Sequence, residues 1–428
     1  MIGALRGGAS GFPKMKRLIY LDHQAATPVL PEALDAMLPF FRADFGNASS
    51  LHHYGVNARD ALARAREQFA LFLNAELPEE IIFTSGGTEA VNLAIKGCAL
   101  ANERHGKHLV VSAIEHPAVL NSVAALARHG FTHTRVKVDA NGFVNPADVS
   151  AAVTDETILI AVHHVNHDLG TLEPIAEIGA IAADCGVPMF VDAVASAGWV
   201  PVDVQALGAS LLAVSPQRFY GPKGVGVLYR NQRARIVGIQ DGGRQEDGRR
   251  AGTENVPAIV GAGVAAAAAR RELLERAAHL SELQRRLWEQ IRARIPFVRL
   301  NGPEPGPRRS PANLNVSFEF LEGEGLALLL DTLGVAVASG TSCVSRAEKL
   351  PPVLAAIGLD PSLAQGTILF SLGRDNTAAD VDNAVVLLEK AVARLREMSP
   401  VWDEFQRGLV DSVIHPREAG AGAAGAAA

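Results

Sequence analysis

The chain has 428 residues, more than one hydrophobic core usually supports, so a large and a small unit are expected. A formal net charge of −6 argues against the clustered Lys and Arg that face phosphate backbones, so nucleic acid is not an expected partner. With 48% hydrophobic and 20% charged residues, and no apolar run near the roughly 20 residues that span a bilayer, the chain reads as globular, cytoplasmic and without a membrane segment.

The opening residues, MIGALRGGASGFPKMKR, carry charge but lack the apolar core and cleavage site of a secretory signal, so residues 1–28 read as a leader and a segment joining the small domain. Residues 29–276 read as a large α/β domain. Within it IIFTS, HLVVSA, ILIAVHHVN, PMFVDA, SLLAVS and VGVLYR are strand candidates separated by Ala-rich helical stretches, an alternation that predicts a mostly parallel sheet covered by helices. Val256 to Arg294 has the composition and spacing of a long connecting helix. Residues 277–415 read as a smaller α+β domain containing NLNVSFEF, VAVASGTSC and TILFSLG, and 416–428 as a low-complexity Ala/Gly tail. Three cysteines without CxxC spacing predict neither a disulfide framework nor a zinc site; Cys98 and Cys185 lie in helix-like apolar contexts and are expected to be buried.

The chemistry-bearing pieces follow in the same order. FTSGGTEA runs a strand into Gly-Gly, Thr88 and a helix, which aims backbone N–H groups and a hydroxyl at an anion. IEHPAVL sets His116, and VDAVAS sets Asp192, at the ends of strands, where open α/β sheets bind ligands. Cys343 stands in SGTSCVSRAEK, a loop of small and polar residues that suits a reactive thiolate. Together with SPQRFYGPKG, YLDHQAATP, FGNASSLHHYG, HHVNHDLGTLEPI, GRRAGTENV and FSLGR, these pieces resemble the fold-type I pyridoxal phosphate enzymes of the class V aminotransferase family, and specifically the NifS/IscS-like cysteine desulfurases. The resemblance implies a large, mostly parallel seven-stranded sheet domain plus a smaller α+β domain, assembled as a homodimer. It further implies that Thr88, Ser215 and Thr253, the last from the partner subunit, cup the cofactor phosphate, that His116 stacks on the ring, that Asp192 faces the ring nitrogen, and that Cys343 accepts sulfur or ligates a cluster.

Several positions depart from that family's pattern. Gln217 and Arg218 stand where the family has His and the lysine that links the cofactor, and a guanidinium stays protonated and cannot form that link. His167 replaces an asparagine that touches the cofactor, Ala195 a glutamine, and Leu369 an arginine that binds the substrate carboxylate. Lys223 survives in the GPKG turn, five residues on, where the turn should aim it elsewhere. The expectation is a desulfurase-like protein without a cofactor, or with pyridoxal phosphate only noncovalently held, that has lost desulfuration. It would serve sulfur handling or iron–sulfur assembly through Cys343 and a surface for a scaffold or sulfur-carrier protein. The alternatives are altered chemistry in the old cleft, with His167 or His116 as acid or base, and a residual desulfurase.

Overall fold

A computed structural model describes residues 18–340 and 350–416. Cys343, the leader through residue 17 and the tail from 417 lie outside the described residues.

The chain enters through a two-residue strand, β1 (Ile19–Tyr20), and then builds its large sheet from β2 (Ile81–Thr84), β3 (His108–Ser112), β4 (Thr132–Val136), β5 (Thr157–His163), β6 (Met189–Asp192), β7 (Leu211–Val214) and β8 (Gly226–Arg230). The spatial order is β2-β8-β7-β6-β5-β3-β4, with β8 antiparallel to both of its neighbours and every other pair parallel. β2, β3, β5, β6 and β7 are buried along their whole length, as continuous apolar runs in a sheet covered on both faces must be. β4 differs. Its sequence THTRV is mostly polar and mostly solvent-accessible at one edge of the sheet, whereas β2 at the other edge is buried, and for that reason the apolar-run criterion passes over β4.

Helices α1 (His53–Leu73), α2 (Gly87–Asn102), α3 (Pro117–Leu126) and α4 (Ile175–Asp184) cover this sheet. The predicted connecting helix is continuous as α5 (Val256–Arg294), 39 residues long. Asn255 caps its start by accepting the Ala258 N–H, Pro257 sits in its first turn, and Arg292 and Arg294 face the negative end of its dipole. Its first half is small-residue rich because α1 approaches closely: a Cβ on Gly263 would lie 3.0 Å from Ala65. Its second half reaches the closing helix, α6 (Ala378–Glu397), where Arg286 grips Asp382 with two 2.7 Å bonds.

The smaller sheet has the order β12-β13-β10-β9, from β9 (Val298–Asn301), β10 (Asn313–Phe318), β12 (Ala338–Ser339) and β13 (Thr367–Ser371); β11 (Val335–Ala336) instead pairs with β1. Leu314, Val316, Ile368 and Phe370 point to its core face. The opposite face carries Asn313, Asn315, Ser317, Thr367 and Ser371, and Leu369 interrupts it opposite Asn315. These polar groups are buried and bonded across strands and to the large sheet's loops: Asn313 Nδ2 donates to the His167 and Asp168 carbonyls, each at 3.2 Å. The predicted burial of both cysteines is corrected here. Cys98 is buried, but Cys185 is exposed because α4 ends at Asp184 and the chain turns outward through Gly186 at φ 67°.

Candidate functional site

A cleft with a cavity volume of about 120 Å³ opens at the carboxyl ends of β2, β5, β6 and β7, the location that parallel connections leave for ligands. At one side β2 passes through Gly86 into the first turn of α2, which presents Thr88 and unbonded first-turn N–H groups. Gly87 shapes this wall. A Cβ there would sit 3.1 Å from Val194 and 3.2 Å from Ser215, filling the hollow that Thr88 and Ser215 share.

Across the cleft, β6 ends in Asp192, which is buried and accepts the Val194 N–H at 3.0 Å. His116 is the N-cap of α3, and its Nδ1 accepts the Ala118 N–H at 3.0 Å, so the neutral ring carries its proton on Nε2. Its ring meets that of His167 edge-on, with centroids 5.2 Å apart. Burial, reinforced by His167 and only partly offset by Asp192, pushes the His116 pKa down to about 4, so the ring is neutral at physiological pH.

β7 leads through Ser215 into a single 3₁₀ turn, Pro216–Arg218, and both Gln217 and Arg218 line the cleft. The turn is held in place by the entering chain: Thr27 N–H donates to the Gln217 carbonyl at 3.0 Å, and Thr27 Oγ1 donates to it at 2.8 Å and accepts the Tyr220 N–H at 2.7 Å. Phe219 and Tyr220 follow, fully buried. Beyond Arg218 lies a narrow crevice of about 10 Å³, walled by His23, Gln24, Trp199, Ser310 and Ser371.

The cleft also contains a charge network that no sequence motif announced. His163, the last residue of β5 and the register partner of Asp192, lines the cleft between two fully buried carboxylates. Its Nδ1 lies 2.6 Å from Glu115 Oε1, its backbone N–H donates to the same oxygen at 2.8 Å, and its Nε2 lies 3.3 Å from Glu173 Oε1. Ionised, the two glutamates favour a ring protonated at both nitrogens, while burial raises the Glu115 pKa and works against that charge. Burial opposes this, but the Glu115 charge and hydrogen bond, with Glu173 behind them, push the His163 pKa up to about 10. That charge also helps keep the adjacent His164 neutral, its pKa brought down to about 4, first by burial and then by His163. The one available signal was a glutamate directly before His116 in a turn otherwise packed with apolar residues.

Thr88, His116, His167, Asp192, Ala195, Ser215, Gln217 and Arg218 thus come together around one cleft. Leu369 does not: it is buried in β13 opposite Asn315 and lines neither space. Thr253 is exposed on the loop leading into α5, and within one chain it is not part of the cleft wall. Lys223 is exposed and borders a separate groove with Tyr20, His23 and Asp375. Among the described residues, no lysine lines the cleft.

The family model for Aminotransferase class-V matches residues 19–384. The chain belongs to that family. It is 44% identical over 393 residues, 92% of this chain and 99% of the relative, to "Cysteine desulfurase IscS" of Clostridium botulinum, and 43% identical over 92% of this chain and 96% of the relative to the protein of that name from Methanosarcina thermophila. Among solved structures it is similar to a "NIFS-LIKE PROTEIN", with TM-score 0.82 and 33% identity, covering 88% of this chain and 100% of that one. The seven-stranded sheet and its helices are therefore the expected architecture.

The expectation of a chain without a cofactor is corrected by these findings. Family and relatives alike point to pyridoxal phosphate rather than to none. The cleft agrees with the ring and phosphate of that group: a carboxylate at the end of β6, a neutral imidazole beside it, and a hydroxyl-lined hollow at a helix start that a Cβ on Gly87 would obstruct. Among the described residues, none of those lining the cleft supplies a lysine amine.

Proposed function

We propose that this chain binds pyridoxal phosphate without a covalent link and no longer turns over cysteine as a desulfurase, and that it serves sulfur handling for iron–sulfur assembly. The single observation that carries this reading is the presence of Arg218, and of no lysine among the described residues, in a cleft otherwise equipped for the group. Thr88, Ser215 and the first turn of α2 would hold the phosphate, completed by the partner subunit's Thr253 in a homodimer. Asp192 would meet the ring nitrogen and His116 the ring face. Bound there, the group would supply an electron sink.

The chain's own residues set what else can happen. His116 keeps a proton on Nε2 and donates rather than accepts from that atom, which makes it a poor base at neutral pH. Arg218 neither forms nor exchanges imines. Cys343 is the proposed sulfur acceptor or cluster ligand, with an iron–sulfur scaffold or sulfur-carrier protein as partner. In the test, the purified protein is loaded with pyridoxal phosphate; one portion is treated with borohydride and dialysed, and in a second, untreated portion sulfide and alanine release from cysteine are assayed. Loss of the cofactor on dialysis with no turnover is expected; turnover abolished by Cys343→Ala would overturn the reading. That outcome would favour retained desulfuration, a second reading supported by the 44% identity to proteins named as cysteine desulfurases.

A further inference from the structure

Resting on the reading that the cleft takes pyridoxal phosphate, we infer that Arg218 makes it a receptor for the aldehyde form of that group and a poor one for the amine form, pyridoxamine phosphate. The two forms share the ring nitrogen, the phosphate and every group that Asp192, Thr88 and Ser215 would contact. They differ at the carbon para to the ring nitrogen, which carries an oxygen acceptor in one form and a protonated aminomethyl group in the other. Arg218 stands where the family resemblance puts the lysine that links this carbon, so with the nitrogen at Asp192 the carbon would face Arg218.

Among the described residues, those lining both the cleft and the adjoining space are Val194, Ala195 and Arg218, and only Arg218 has polar side-chain atoms. Whatever else its guanidinium engages, it is a cation and donor-only at every relevant pH. It can donate to an aldehyde or hydrate oxygen, and it can accept nothing from an ammonium, which it repels in a poorly solvated cleft. Retreat is obstructed. The turn that carries Arg218 is bonded to Thr27, its successor Phe219 is fully buried, and a Cβ on Gly198 would already lie 2.4 Å from Phe219 Cβ, so the backbone behind Arg218 is fixed and the crevice beyond its side chain is narrow.

The experiment is a calorimetric or fluorescence titration of the full-length protein at neutral pH with pyridoxal phosphate and, separately, pyridoxamine phosphate. The aldehyde form should bind at least about tenfold more tightly, the loss of one charge-assisted hydrogen bond. Arg218→Met should still bind the aldehyde form but bring the two affinities within about threefold. Arg218→Gln is the second variant if methionine fails to fold, and borohydride fixation with peptide mapping of the aldehyde-loaded protein corrects the wild-type ratio for aldimines at surface lysines. Equal or tighter binding of the amine form, or a ratio unchanged in a folded variant, overturns this inference alone. Failure of both ligands to bind a folded protein overturns it together with the reading of the cleft.

Discussion

Replacing His163 by leucine removes the one cation between Glu115 and Glu173 while roughly keeping side-chain volume. Both carboxylates are fully buried, and Glu115 Oε2 already has no hydrogen-bond partner, so neither can turn to water when the imidazolium goes. Deleting one member of a buried ion pair costs about 3–5 kcal/mol. A rise of the His163 pKa from 6.5 to about 10 corresponds, at about 1.4 kcal/mol per unit, to the same order. The sign follows from the direction of the shift: a histidine whose folded pKa is raised contributes stability that is fully present below about pH 6.5 and is lost as pH climbs through about 10. Differential scanning calorimetry should show His163→Leu lowering Tm by roughly 3–6 °C at neutral pH, with the gap to wild type narrowing in strongly alkaline buffer. Adding Glu115→Gln and Glu173→Gln to the leucine variant should recover much of the loss. A single variant within about 1 kcal/mol of wild type, or a gap that does not change with pH, would refute the assignment of a permanent imidazolium.

Three other outcomes are expected. Arg218→Lys should make the bound cofactor fixable by borohydride yet restore no desulfuration, since Leu369 stands where the family resemblance puts a carboxylate-binding arginine, a bond worth about 1.5–3 kcal/mol; turnover near that of a named relative would defeat this. Gly87→Val should weaken pyridoxal phosphate binding by about tenfold or more with the fold retained in circular dichroism, because its side chain enters the hollow beside Val194 and Ser215. Peptide mapping after brief iodoacetamide treatment should find Cys185 alkylated and Cys98 untouched, since burial pushes the Cys98 thiol up to about 12 and hides it; equal labelling of both would contradict the burial assignments.

Much of the cleft could be read in the sequence because its residues sit where strands give way to turns. Thr88, His116, Asp192 and Ser215 each follow an apolar run within a few positions, and such runs in a parallel sheet all end on one side. The polar edge strand β4 could not be read that way, since its alternation is too short and too exposed to stand out. Nor could the His163 network, whose members lie 48 and 10 residues apart in a chain without local periodicity linking them; only the packing of β5 against two separate turns makes them neighbours. Leu369 was legible as a departure but not as a location. Its interest depends on the partnered polar face of the small sheet, which is set by the register of β10 with β13 rather than by anything near residue 369.

The unbroken run of α5 has a mechanical consequence. At 39 residues it is a rod of about 58 Å, clasped to α1 at one end and to α6 at the other. A loop between two units would let each swing and melt by itself, whereas a rod shared by both transmits torque and load from one to the other. Displacing the small sheet relative to the cleft therefore requires flexing a helix along its length, and thermal unfolding is expected to proceed as one cooperative transition. Limited proteolysis should accordingly spare the stretch from 256 to 294 until that transition begins.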